Sequence, residues 1–134
     1  MDKASGQNYH GLNRFLDGGD CGDEYNYSPP AADRVTAAQF KRVSLSNDPV
    51  QQTLNLELVL RTPLVLAPDR KSRSKEQVVL PITTHISLTR GVACVDVQTR
   101  VDNRASDHRL RVHFPAPFAA VTGHHNGHFE LVER

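Results

Sequence analysis

Leucine recurs at every second position in the run TLNLELVLR, residues 53–61: Leu54, Leu56, Leu58 and Leu60. A strand puts all four on one face and Thr53, Asn55, Glu57, Val59 and Arg61 on the other, whereas a helix would scatter them around its axis. The run VVLPITTHISL, residues 78–88, repeats the pattern, with Leu80, Ile82, Thr84, Ile86 and Leu88 on one face. Pro81 cannot donate to a ladder, so this strand is expected near a sheet edge or bulged there. Thr89, Arg90 and Gly91 form a tight turn. Residues 92–101 then return as the antiparallel partner, with Val95, Val97, Thr99 and Val101 inward and Cys94, Asp96, Gln98 and Arg100 outward.

Turn chemistry fills residues 102–107, DNRASD. Residues 108–114 read as a strand with Leu110, Val112 and Phe114 opposite Arg109, Arg111 and His113, ended by Pro115 and Pro117. Short strands are predicted at 118–122 and 128–132 around a turn at 123–127. Another is predicted at 40–46, before a turn at Asn47, Asp48 and Pro49. The segment APDRKSRSKEQ, residues 67–77, is dense in basic residues and lacks apolar periodicity, so it is expected as a mobile, solvated hairpin tip. No stretch from residue 37 onward has helical periodicity. Short strands broken by turns at intervals of about 8–12 residues predict an all-β fold, an antiparallel β-sandwich.

The first 35 residues differ. Residues 17–27 read DGGDCGDEYNY, with Asp17, Asp20, Asp23 and Glu24 spaced between glycines and followed by Tyr25 and Tyr27. This composition does not build a packed strand core; it points to an ordered or ligand-facing loop, closed by Ser28, Pro29 and Pro30. Three chemistries suit it. Clustered carboxylates on a kinked backbone suit calcium, although the EF-hand spacing is absent. Carboxylates and a tyrosine suit sugar hydroxyls. Asp side chains also cap nearby backbone amides in Gly-rich turns, the reading that composition alone favours.

Composition narrows the classes. At 134 residues the chain is sized for one domain, and its net charge of +1 excludes the broad cationic field of a general nucleic-acid binder. No apolar run approaches the roughly 18 residues of a membrane span, and the N-terminus has no apolar stretch for a secretory signal. Two cysteines, Cys21 and Cys94, are too few for a disulfide scaffold, so a cytoplasmic protein with free thiols is expected. Cys94 reads as a quiet thiol on a strand. His124, His125 and His128 cluster without a nearby Cys or an HExxH spacing, which favours surface histidines over a metal site. Neither a G-x-S-x-G elbow nor a P-loop is present.

Two stretches carry a resemblance: GLNRFLDGGDCGDEYNYSPP, residues 11–30, and VDNRASDHRLRVHFP, residues 101–115, with Gly127, His128, Phe129 and Glu130 trailing. Over residues 7–134 the chain resembles the β-rich region behind the catalytic domain of glycoside hydrolase family 38, the retaining α-mannosidases, especially bacterial members. The resemblance implies a supersandwich, galactose-mutarotase-like fragment. It would comprise a Gly/Asp-rich loop segment with an N-terminal strand at 1–36 and a sandwich segment at 37–134. It implies zinc and catalytic carboxylates in a separate N-terminal catalytic domain, the expected partner. None of the seven histidines here is followed two residues later by Asp, so the family's H-x-D zinc pair is missing. No cofactor, no catalytic residue and no hydrolysis are expected of this segment alone. The resemblance further implies that Tyr25, in Gly22-Asp23-Glu24-Tyr25, reaches an α-mannoside substrate, with Asp23 and Tyr27 shaping the pocket. Asn103, Arg104, Asp107 and His108 become a structural turn, with Asp107 capping amides and Arg109 or Arg111 pairing with carboxylates. Strand edges left open at the ends favour pairing with a second copy in isolation. A free-standing carbohydrate-binding or calcium-stabilised module is the alternative.

Overall fold

The computed structural model of the protein describes residues 3, 5–23, 25–116, 118–119 and 121–133. Its strands are β1 (Arg14–Gly19), β2 (Thr36–Ala37), β3 (Gln39–Asn47), β4 (Gln51–Pro63), β5 (Gln77–Thr89), β6 (Val95–Val101), β7 (His108–His113), β8 (His124–Asn126) and β9 (Leu131–Glu133). No helix among the described residues is long and apolar enough to cross a membrane. The chain divides into two compact units, one spanning Phe15–Val112 and one made of the two ends, up to Arg14 and from His113.

The larger unit is the antiparallel sandwich that the alternating leucines predict. One sheet has the order β3-β4-β5-β6, the other β2-β1-β7. The β4–β5 register sets Leu56 against Thr84, Leu58 against Ile82 and Leu60 against Leu80, so both apolar phases share a face. Phe15 of β1 closes over that face. Phe15, Leu60, Leu80 and Ile82 are buried to 2%, 0%, 0% and 1% exposure, and Leu56, Leu58 and Ala105 complete the cluster. Burying one such side chain contributes about 1.5–3 kcal/mol, so this small cluster carries much of the unit's stability.

The same face continues beyond the cluster without cover. Val43 and Leu45 of β3 pair with Leu56 and Leu54, and Leu88 and Ile86 of β5 pair with Val95 and Val97 of β6. Leu45, Leu88 and Val95 are 61%, 52% and 57% exposed. Their phase is the inward one read from the sequence, but the short β2-β1-β7 sheet does not reach them.

Several expectations need correction. Pro81 lies in an inner strand, opposite Val59 in an unbroken register. Its carbonyl accepts the Asp102 N–H at 3.0 Å. A residue's N and O point to the same side of a strand, so the missing donor faces the place where β6 has ended. Cys94 is exposed and precedes β6 in the connection from β5 instead of lying on a strand. Segment 67–77 is not a free tip: Ala32 donates to Lys71 O at 2.9 Å, Ser74 to Val65 O at 2.8 Å, and Arg73 is buried. In the terminal unit the hairpin is offset from prediction. β8 pairs with β9 through His125 opposite Val132, and the turn closes with Gly127 donating to Glu130 O at 2.8 Å. The described residues of 118–122 form no strand. Pro117, Ala120 and Glu24, each part of a sequence expectation, lie outside the described residues.

Candidate functional site

β1 alternates as a strand must, with Phe15 and then Asp17 pointing inward, and Asp17 is fully buried. The sequence pattern put residues 17–19 in an ordered or ligand-facing loop; the structure makes them the end of β1 and puts the Asp17 carboxylate inside the sandwich. Oδ1 accepts His108 Nδ1 at 2.5 Å, and Oδ2 accepts Arg73 Nη2 at 2.8 Å and the Thr62 hydroxyl. Arg73 Nη2 also donates to Thr62 Oγ1 at 2.7 Å. The far side of the His108 ring, Nε2, lies 3.0 Å from Asn103 Oδ1, and that oxygen also accepts the Ala105 N–H at 3.1 Å. Both ring nitrogens thus face side-chain oxygens.

Burial alone would raise the Asp17 carboxyl. Hydrogen bonds from His108, Thr62 and Arg73, with the Arg73 charge, outweigh it and hold the group below its ordinary range. One carboxylate held by three donors and closed off from solvent is a brace for the structure. Its members come from β1, β4, the β4–β5 connection and β7. Thr62 extends the alternating phase of Leu54–Leu60, and His108 shares the phase of Leu110, so both had a readable direction. Arg73, in a polar run, carried no local signal.

Gly18 and Gly19 follow because the chain is crowded there. A Cβ on Gly19 would lie 2.8 Å from Pro30 Cγ and 3.0 Å from Arg73 Cδ. Asp33 Oδ2 accepts the Gly19 N–H at 2.9 Å and draws the returning strand against β1. Between these points residues 20–30 form a loop tied by its own carboxylates. Asp20 N donates to Asp107 O at 2.9 Å, and Cys21 N donates to Ser28 O at 2.7 Å. Asp20 Oδ1 accepts Gly22 N at 2.9 Å and Ser28 N at 3.0 Å. Asp23 Oδ1 accepts Tyr25 N at 2.9 Å and Asn26 N at 2.7 Å. The Ser28 amide, then Gly22, holds the Asp20 carboxyl below its usual range, and the Tyr25 and Asn26 amides do the same for Asp23. These two carboxylates cap backbone, the third of the chemistries considered for the loop.

The tyrosines diverge. Tyr25 is 89% exposed, at the tip of this tied loop. Tyr27 turns back: the Arg109 guanidinium stacks over its ring, 4.4 Å from the centroid, and its hydroxyl lies beside Gly18. Arg109 therefore pairs with an aromatic face, and Arg73 instead of Arg109 or Arg111 holds the buried carboxylate. The amide cap at this turn comes from Asn103, while Asp107 contributes its backbone carbonyl from a left-handed conformation, φ 50°.

Zinc, which the family resemblance implies, does not fit the residues here. Asp17 and His108 bond to each other and Arg73 takes the other carboxylate oxygen, and no three His, Cys, Asp or Glu side chains come together as ligands among the described residues.

The same all-β architecture is found as a part of larger solved chains. A family 38 glycosyl hydrolase from Enterococcus faecalis superimposes with a TM-score of 0.85 at 23% identity, covering 100% of this chain and 18% of that one. An alpha-mannosidase from Enterococcus faecalis V583 superimposes with a TM-score of 0.86 at 23% identity, covering 100% of this chain and 17% of that one. In sequence the chain is 30% identical, over 152 residues and its whole length, to the Halalkalibacterium halodurans protein named "Putative mannosylglycerate hydrolase". It spans 17% of that relative. No family profile matches the chain. The resemblance read from residues 11–30 and 101–115 is borne out.

Proposed function

We propose that this chain is the substrate-side β-sandwich segment of a family 38 glycosidase acting on α-mannosides. Zinc and the catalytic carboxylates belong to the parent's N-terminal catalytic domain. Here the loop at residues 20–30 closes one side of the sugar site and Tyr25 supplies a hydroxyl and a ring face to it. The observation that carries this reading is the contrast within the loop: Asp20 and Asp23 are spent on backbone amides and Tyr27 on Arg109, while Tyr25 projects almost free of the fold. A large aromatic held out by a rigid loop is poised for contact with something outside the segment. Asp23 acts by setting the Tyr25 turn, and Tyr27 by pinning the loop's return to β7.

The test is kinetic, in the parent enzyme. Tyr25→Phe removes one hydrogen bond, worth about 10-fold in kcat/KM on an aryl α-mannoside if it is made in the transition state, and Tyr25→Ala removes the ring as well and costs more. Unchanged kcat/KM in Tyr25→Ala refutes the assignment. The isolated segment is expected to show no turnover with zinc present. A free-standing binding module would instead saturate with mannose or mannobiose on its own.

A further inference from the structure

We propose that a notch at the free edge of β4 binds the oxyanion, carboxylate or phosphate, of a small sugar-like ligand. The β3–β4 ladder starts at Gln39 opposite Val59, whereas β5 stays paired with β4 out to Gln77 opposite Pro63. The last residues of β4 therefore have a strand on one side only. On the other side the chain departs through Ala38, which donates to Phe15 O at 3.1 Å, and crosses to β2, where Thr36 stands opposite Asp17. The departure leaves a cavity of about 510 Å³. That volume matches a small-molecule site and exceeds what a bare ion fills.

Charge sets the class of ligand. Arg34 and Arg61 line the cavity together with Gln39 and Gln77, while Val59 and Pro63 supply apolar wall. No carboxylate lines it. Among the described residues neither guanidinium has an ion pair or a side-chain hydrogen bond, whereas nearby cations are committed: Arg73 to Asp17, Arg70 to Cys21 O, Arg109 to Tyr27. Two uncompensated guanidinium groups facing one cavity repel each other until an oxyanion lies between them, and the planar fork of each suits carboxylate or phosphate oxygens. The glutamine amides and the short apolar wall suit the hydroxylated body that carries the anion. Arg34 directly follows Asp33, the residue that ties Gly19, so an occupant of the notch braces the same segment that closes the 20–30 loop. The site stands independently of the Tyr25 reading.

Titration of the full chain by heteronuclear NMR tests it. The probes are D-glycerate, inorganic phosphate, glycerol and methyl α-mannoside, at constant ionic strength set with sodium chloride. Saturable shifts confined to residues 34–39 and 59–63 are expected with an anionic probe in the millimolar range, and none with glycerol. Saturation by glycerate alone assigns a sugar acid, and by phosphate alone a sugar phosphate. Arg34→Gln and Arg61→Gln each weaken binding about 10-fold, and Arg61→Lys restores part of it. Both side chains are exposed, so spectral dispersion reports that the variants fold. Shifts that never saturate overturn the proposal, as does affinity unchanged in the double Gln variant. Protection of residues 60–63 that rises with protein concentration and ignores anions also overturns it, because an added strand then fills the notch. Shifts at residues 20–28 with methyl α-mannoside bear on the Tyr25 loop alone.

Discussion

Replacing Arg73 by methionine keeps an apolar stem of similar length and deletes the guanidinium beside Asp17. Asp17 is fully buried and the Arg73 side chain is 5% exposed, so water does not take the donor's place. Two bonds vanish, to Asp17 Oδ2 at 2.8 Å and to Thr62 Oγ1 at 2.7 Å, and the carboxylate keeps only His108 and Thr62. Loss of the hydrogen bonds alone costs about 1.5–3 kcal/mol. Leaving a buried charge short of its partner raises this to about 3–5 kcal/mol, roughly a fifth or more of a typical domain's stability. Urea unfolding at neutral pH measures it directly. The Asp17→Asn/Arg73→Met pair is expected to lose less than the two single losses added together, because neither charge is then stranded. The pH arm has a fixed sign. Asp17 is held below its ordinary value of 3.8, so its stabilisation is present above that value and is lost as pH falls through the lower folded one. Asp17→Asn should flatten the acid limb below about pH 4. A loss under about 1 kcal/mol in Arg73→Met, or a double variant worse than the sum of the singles, refutes the view that this pair closes the sandwich.

Other outcomes follow from single contacts. In Gly22→Ala the new Cβ would fall 1.7 Å from the Asn26 carbonyl oxygen, so the 20–28 loop must rebuild. Amide shifts are expected there with core stability changed by less than about 1 kcal/mol, and an unaltered loop spectrum contradicts the geometry. Tyr27→Leu removes the surface for Arg109, and a double-mutant cycle with Arg109→Met should give a coupling of about 0.5–1 kcal/mol; zero coupling shows that the stacking does not hold the loop. The uncovered apolar end of the β3–β6 face, with Leu45, Leu88 and Val95 exposed, should drive self-association of the isolated chain. Leu88→Lys is expected to shift the sedimentation profile towards monomer, and identical profiles rule that face out.

The alternation of Leu54–Leu60 and Leu80–Leu88 determined by itself that β4 and β5 are strands, which face is apolar, and that they belong to an all-β sandwich. Period two is a local property, and a single register satisfies both phases at once. The glycines and carboxylates of residues 20–27 likewise announced an ordered loop, since short polar side chains cap their own neighbours, whereas Asp17, Gly18 and Gly19, read as part of that loop, are the buried end of β1. Only the tertiary structure decided what the charged residues do. Asp17 meets Thr62, Arg73 and His108 across 45, 56 and 91 positions, distances over which no pattern in the chain has a period. Arg73 reads as solvated within its polar run, but a buried carboxylate supplies what the run cannot show. Tyr25 and Tyr27 stand two residues apart, and local chemistry does not tell them apart. The fold separates them because Arg109 of β7 takes one ring and no described residue stacks on the other.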